Sequence, residues 1–133
     1  MSKQRILLVD DEPMVQRVLR LSLEKSGYAV DTAHNGQEAL MLIKAQAPDV
    51  MITDIEMPVM DGRTLCQTLE RDMPDRTFPI FLATSLTGLE HRGWSGLITN
   101  LYFLEKPVSA RMLITALAEY FAHGPSEVLE KMS

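Results

Sequence analysis

Five short apolar runs recur along the chain, and stretches of helical period separate them. The runs predict β-strands near residues 5–9, 28–33, 50–53, 80–83 and 102–105. In the intervening segments, apolar residues recur every three or four positions, as on the buried side of an amphipathic helix. Strands that alternate with helices are typical of βα repeats around a parallel sheet. The pattern therefore predicts an α/β domain.

The helix boundaries are marked by capping residues. The predicted helices run from Pro13 to before Gly27, from Asn35 to before Pro48, from about Arg63 to Asp72, and from a cap at Ser109 through Phe121. Asn35 precedes Glu38 by three residues, which resembles a capping box.

The fourth helix is the least regular of the five. It is predicted between Leu89 and Thr99, a segment that contains Gly93 and Gly96. Each glycine costs about 1 kcal/mol in a helix interior. We therefore expect a short, irregular or mobile element. Trp94 lies within it, and the pattern leaves open whether this side chain is core or half-exposed.

Polar residues follow four of the predicted strands. Asp10 and Asp11 follow the first, Asp54 the third, Thr84 the fourth and Lys106 the fifth. Because the carboxyl ends of parallel strands lie at one edge of a sheet, these side chains are expected to meet there. Three carboxylates, a hydroxyl and an ammonium together suit a magnesium ion and a phosphoryl group.

Length, composition and charge favour a single-domain protein that neither spans a membrane nor binds nucleic acid. The 133 residues fit one domain, and no apolar stretch approaches the roughly 20 residues that cross a bilayer. With no signal-peptide pattern, a cytoplasmic location without membrane attachment is expected. A net charge of -5 argues against direct nucleic-acid binding. The lone Cys66 agrees with a reducing compartment and is expected to be a buried thiol.

Four motifs carry a resemblance to a known family. They are residues 7–12 (LLVDDE), 54–62 (DIEMPVMDG), 79–84 (PIFLAT) and 106–107 (KP). In this order and spacing they resemble the receiver domain of two-component response regulators, across about residues 3–123. The resemblance implies a flavodoxin-like, doubly wound (βα)5 fold with strand order 2-1-3-4-5 and helices on both faces. We expect a receiver domain over 1–123, followed by a tail or the start of a linker over 124–133.

The resemblance assigns the acidic residues. Asp54 matches the phosphoacceptor, since a carboxylate can form an aspartyl phosphate. Asp10, Asp11 and Asp54 match the ligands of Mg²⁺, together with the backbone carbonyl of Glu56. Crowded carboxylates repel one another, so at least one acid pKa should be raised. The ordinary alternatives are a helix-capping aspartate and an acidic first turn of a helix.

The remaining site residues belong to the last two strands. Lys106 should contact the phosphoryl oxygens, and Thr84 should donate its hydroxyl to the same group. Phe103 matches the switch aromatic of the family, without the hydroxyl of the tyrosine that is common there. The resemblance also implies a cis Lys106-Pro107 bond. The ordinary alternatives are a solvated lysine, a turn threonine and a core phenylalanine.

The expected function is a phosphorylation switch rather than conventional enzymatic turnover, with slow autodephosphorylation possible. A histidine kinase or a phosphotransfer protein would donate the phosphoryl group to Asp54 in a Mg²⁺-dependent reaction. The face formed by the fourth helix, fifth strand and fifth helix would then bind a downstream protein or a second copy.

Several alternatives stay open at this point. The domain could be a docking module that is never phosphorylated, or a fragment of a longer regulator or hybrid kinase. A flavin-binding electron carrier shares the topology, but Asp10, Asp11 and Glu12 would repel its phosphate. A phosphatase with an aspartate nucleophile would need a substrate pocket that the sequence does not indicate.

Overall fold

In the computed structural model, which describes residues 3–85 and 92–123, five parallel strands form one sheet between two layers of helices. The strands are β1 (Arg5–Val9), β2 (Ala29–Ala33), β3 (Val50–Asp54), β4 (Ile80–Thr84) and β5 (Leu101–Glu105). The helices are α1 (Pro13–Lys25), α2 (Gly36–Ala45), α3 (Gly62–Asp72), α4 (Arg92–Ser95) and α5 (Ala110–His123). The strand order is β2-β1-β3-β4-β5, which confirms the predicted topology.

The register brings the carboxyl ends of the strands to one edge. β1 pairs with both β2 and β3, so the chain reverses its direction of winding beside β1. Asp54 at the end of β3 lies opposite Ala83, and Thr84 at the end of β4 lies opposite Glu105. In open α/β sheets, the crevice at such a reversal is where ligands bind.

Side chains alternate across the sheet and divide the core into two clusters. Ile52 and Phe81 belong to the cluster that α1 and α5 cover. Their neighbours Met51 and Ile80 belong to the cluster that α2 and α3 cover. All residues of β3 and β4 are buried, as expected for central strands that have helices on both sides.

Two of the predicted helix caps are present. The backbone N–H of Glu38 donates to Asn35 Oδ1 at 2.9 Å, and the N–H of Met112 donates to Ser109 Oγ at 3.0 Å. The Glu38 carboxylate accepts from the N–H of His34 at 3.1 Å, one residue before the position that a standard capping box uses. The starts of α2 and α5 could therefore be predicted from the local sequence.

The irregular fourth helix falls partly outside the described residues. From residue 92 onward it is the single turn Arg92–Ser95, in agreement with a short element. Trp94 is only 7% exposed and packs in the α2/α3 cluster, so it is a core residue. The guanidinium carbon of Arg63 lies 5.8 Å from the centroid of its ring. The predicted tail, 124–133, is also outside the described residues.

Cys66 is fully buried on α3, as expected of a structural thiol. Burial raises the pKa of its thiol to about 12. Within the two described segments, no helix is both long enough and apolar enough to cross a membrane.

A buried arginine ties the segment before β5 to the end of α3. The side chain of Arg76 is 1% exposed and forms an ion pair with Glu70 at 3.0 Å. Arg76 also donates to the carbonyl of Thr99. The Glu70 carboxylate in turn accepts from the Thr99 N–H at 2.8 Å and from its hydroxyl at 2.9 Å. These hydrogen bonds, from the Thr99 backbone first and then from Arg76, hold the pKa of Glu70 below its usual value.

We expect Arg76→Ala to lower the free energy of unfolding by about 1 to 3 kcal/mol, because it removes a buried side chain together with its hydrogen bonds to Glu70 and to the Thr99 carbonyl. Urea denaturation measures the change. The matched control is Arg71→Ala, whose ion pair with Asp72 has side chains that are 73% and 53% exposed. That control should change the free energy of unfolding much less, because an exposed ion pair contributes little to stability. Equal effects of the two substitutions would contradict a structural role for the buried pair.

Candidate functional site

The central group of the site is the carboxylate of Asp54 at the end of β3. Asp54 is only 6% exposed. Its Oδ1 accepts a hydrogen bond from the Ile55 N–H at 2.7 Å and lies 2.7 Å from Lys106 Nζ. A buried carboxylate is costly unless it has such partners. The site therefore places the Asp54 carboxyl group in a confined space beside the Lys106 ammonium.

Three carboxylates come together at this edge of the sheet. Asp10 and Asp11 follow β1, and one oxygen from each lies within 4.8 Å of the others and of an Asp54 oxygen. Mg²⁺ prefers carboxylate oxygens and retains several waters. The donor set of this cluster therefore fits a magnesium ion. Glu56 is exposed in the loop two residues past Asp54, and the role of its carbonyl stays a prediction.

The crowding changes the acidity of Asp10. Burial raises the pKa of its carboxyl, and the charges of Asp54 and Asp11 add to the rise. A hydrogen bond from the Glu12 N–H, at 2.9 Å, and the charge of Lys106 oppose it. The prediction that one acid pKa is raised is confirmed, although burial, and not repulsion, is the largest cause.

Lys106 reaches the site from the residue that follows β5. Its backbone N–H donates to the carbonyl of Thr84 at 2.9 Å. The Lys106-Pro107 peptide bond is cis, as the resemblance implied. Burial disfavours its charged form, but the hydrogen bond and the charge of Asp54 outweigh that effect, so the pKa of Lys106 is raised. Lys106 is therefore a fixed ammonium at neutral pH.

Thr84 and Phe103 lie on the other side of the sheet from the carboxylates. Thr84 follows Leu82 by two residues on β4, and Leu82 belongs to the α2/α3 cluster. Half-buried Phe103 packs against the same cluster. Ser85, rather than Thr84, lines the cavity that contains Asp54. The structure thus brings together Asp10, Asp11, Asp54 and Lys106, but it does not place the Thr84 or Phe103 side chains in that cavity.

One positioning residue was missed in the sequence. Gln16 on α1 is buried, and its Nε2 donates to the carbonyls of Asp10 at 2.9 Å and Ala33 at 2.6 Å. It thereby fixes the backbone just after β1 and at the last residue of β2. The available signal was a polar residue in helical phase with Leu19 and Leu23, on the buried stripe of the helix.

The loop after Asp54 is held at both of its ends. The Gly62 N–H donates to the carbonyl of Ile55 at 2.7 Å. A Cβ at Gly62 would overlap the carbonyl oxygen of Asp54 and would lie 2.8 Å from Ile55 Cα. Within the loop, the carbonyl of Met60 accepts a hydrogen bond from the Gly36 N–H of α2 at 2.9 Å. Val59 has a φ of 67°, which is unusual for a β-branched residue.

This geometry coincides with a family match over most of the chain. Residues 6–118 match the model of the response regulator receiver domain. The chain belongs to this family. Membership of the family favours the receiver interpretation over the flavin-carrier and phosphatase interpretations. Response regulators act in two-component systems, together with histidine kinases and downstream targets.

Relatives agree with this assignment of a receiver domain. The response regulator MprA of Mycobacterium bovis is 40% identical over 131 residues, which cover 97% of this chain and 56% of that protein. The chain spans about half the length, or less, of the curated relatives that it matches.

Solved structures of receiver domains have the same fold. The chemotaxis protein CheY4 of Vibrio cholerae superposes with a TM-score of 0.80 at 28% identity, covering 89% of this chain and 98% of that one. TrrA of Thermotoga maritima, solved in complex with Mg²⁺-BeF, gives a TM-score of 0.74 at 30% identity, covering 87% of this chain and 97% of that one.

We expect Asp10→Asn to raise the melting temperature at pH 7 in metal-free buffer. The folded-state pKa of Asp10 lies above the ordinary pKa of an aspartate, so its charge is unfavourable in the folded state above that raised pKa. The advantage of the variant should shrink as the pH falls through the raised pKa. Differential scanning calorimetry from pH 7 to pH 4, with exposed Asp75→Asn as control, measures it. A variant that is less stable at pH 7 would contradict this.

Gly62→Ala should lower the free energy of unfolding by about 1 to 3 kcal/mol, because its Cβ would displace the backbone at Asp54. Chemical shifts of the Asp54 and Ile55 amides should move with it in ¹H–¹⁵N spectra. Gly93→Ala is the matched control, since a Cβ there meets nothing within 4 Å. Unshifted Asp54 and Ile55 amides in Gly62→Ala would show that the close approach does not position Asp54.

Proposed function

We propose that this receiver domain accepts a phosphoryl group on Asp54, from the phosphohistidine of a histidine kinase or of a phosphotransfer protein. The observation that carries the proposal is the 2.7 Å contact of Lys106 Nζ with a buried Asp54 carboxylate. The nearby oxygens of Asp10 and Asp11 add to its weight, because they supply the metal ligands that phosphoryl transfer requires.

The transfer uses the Asp54 carboxylate as nucleophile. One of its oxygens forms a bond to phosphorus as the bond from phosphorus to the donor histidine nitrogen breaks, and the histidine leaves with the electron pair. Lys106, already within contact distance, places its positive charge against the equatorial oxygens. Asp10, Asp11, Asp54 and the Glu56 carbonyl would hold Mg²⁺, which when bound supplies positive charge to the phosphoryl oxygens.

The switch rests on side chains that lie across the sheet from Asp54. A phosphoryl group adds about -1.5 to -2 charges at neutral pH and strong hydrogen-bond acceptors. Thr84, at the end of the adjacent strand, would turn towards this group and vacate space on the α2/α3 side. Phe103 packs on that same side and would move into the space, because burial of its ring is favourable.

The consequence is a two-state shift of the face formed by α4, β5 and α5. The partner that reads this face is a downstream protein or a second copy of the domain, and no direct nucleic-acid contact is proposed for this domain. The receiver domain would span residues 1–123, with 124–133 as a tail or linker. Slow loss of the phosphoryl group to water would reset the switch.

We expect the intact protein to gain the mass of one phosphoryl group when it is incubated with acetyl phosphate and Mg²⁺. Asp54→Asn should gain none, because an amide oxygen does not replace the carboxylate nucleophile. Exposed Asp75→Asn is the matched control and should be labelled like the unmodified protein. Chelation of the metal should abolish labelling of the unmodified protein and of Asp75→Asn. Mass spectrometry of the intact chain measures each outcome.

Full labelling of Asp54→Asn would show that the acceptor is another residue. Absence of labelling in the unmodified protein, combined with no binding of Mg²⁺-beryllofluoride, would favour a docking module that is never phosphorylated. Beryllofluoride distinguishes this case from a short-lived phosphate, because it mimics the phosphoryl group without being hydrolysed.

A further inference from the structure

An apolar cavity continues inward from the carboxylate site, on the side of the sheet covered by α1 and α5. Its volume is about 380 Å³, which falls within the range of small-molecule pockets, about 300 to 1,000 Å³. The apolar part of its lining includes Leu8, Val15, Leu19, Ile52, Ala83 and Val108. Neither a metal ion nor a phosphoryl group bound at the carboxylates would use this apolar space.

The polar end of the cavity carries an excess of negative charge. Asp10, Glu12 and Asp54 line it together with Lys106, and Asp11 lies beside them. Lys106 forms an ion pair with Asp54 at 2.7 Å, so among these described residues the carboxylates outnumber the ammonium by three. A ligand that reaches the apolar space through this end therefore meets a field that attracts cations and repels anions.

We propose that the cavity binds a small organic cation, an ammonium on a short aliphatic or cyclic body. The head would lie among the oxygens of Asp10, Glu12 and Asp54, and the body would fill the space between Leu19, Ile52 and Ala83. The two halves of such a molecule match the two halves of the lining. The carboxylates attract the ammonium head, and burial of the apolar body against the apolar residues is favourable.

This ligand and a divalent metal would exclude each other. Both require the oxygens of Asp10 and Asp54, and like charges at one site repel. The bound amine would thereby oppose phosphorylation, a consequence that rests on the proposed function. Binding of the amine itself needs neither a metal nor a phosphoryl group. Its failure in metal-free buffer would consequently leave the phosphorylation of Asp54 untouched.

The test is isothermal titration calorimetry of the metal-free protein with methylammonium, n-propylammonium, n-butylammonium and cyclohexylmethylammonium. Affinity should rise about fourfold for each added methylene that enters the cavity. Butyrate and butanol, with similar bodies but a negative head or none, should bind more weakly than n-butylammonium. Equal affinity across the ammonium series would overturn the proposal, because the carboxylates alone would then explain binding. Binding of butyrate as tight as that of n-butylammonium would also overturn it.

Ala83→Leu tests the apolar half directly, because its larger side chain would occupy the cavity. This variant should lower the affinity for cyclohexylmethylammonium about tenfold or more, while the affinity for Mg²⁺ is retained. Ala45→Leu, at an exposed position on α2, is the matched control and should bind like the unmodified protein. If Ala83→Leu does not fold, Val108→Phe at the cavity lining serves the same purpose. Unchanged amine affinity in a folded cavity-filling variant would show that the body does not lie there.

Discussion

The contact between the Asp54 carboxylate and the Lys106 ammonium is the interaction on which the site depends. Asp54 is buried at the end of a central strand, where an ionised carboxylate without a partner would be strongly disfavoured. Lys106 supplies that partner from β5, two strands away, and its backbone is fixed there by the hydrogen bond to Thr84. The pair thus links the central strand to the edge strand that belongs to the proposed output face.

The same site holds together carboxylates whose negative charges repel one another. Asp10 is brought close to Asp54 and Asp11, although burial and like charge both make its ionised form unfavourable. Gln16 holds the carbonyl of Asp10, and the Gly62 N–H holds the carbonyl of Ile55 next to Asp54, so the backbones that carry two of these carboxylates are anchored. A cation among the carboxylates would offset their repulsion, which is the physical reason that the cluster suits a metal.

Because side chains alternate along the strands, the carboxylate site and the predicted switch residues belong to opposite sides of the sheet. Asp54 and Lys106 point to the α1/α5 side, together with the apolar cavity. Thr84 and Phe103 belong to the opposite side, where Phe103 packs against the α2/α3 cluster. A signal that passes between the two sides has to cross the edge of the sheet, at the ends of β4 and β5. At the opposite, amino-terminal end of β5, the Arg76–Glu70 pair anchors Thr99, two residues before the strand begins.

The sequence by itself determined the strands, most helix boundaries, the strand-end positions of Asp10, Asp54 and Lys106, and, by resemblance, the strand order and the cis bond. These features follow from the local spacing of apolar residues, from helix-capping residues and from family motifs. Each of these signals lies within a short segment of the sequence. Only the tertiary structure decided that Ser85 rather than Thr84 lines the cavity with Asp54, that Trp94 is core, that Gln16 anchors Asp10, and that a cavity lies beneath the carboxylates. Each of these depends on how side chains from distant segments pack together, and the volume that they leave unfilled has no signature in any one segment.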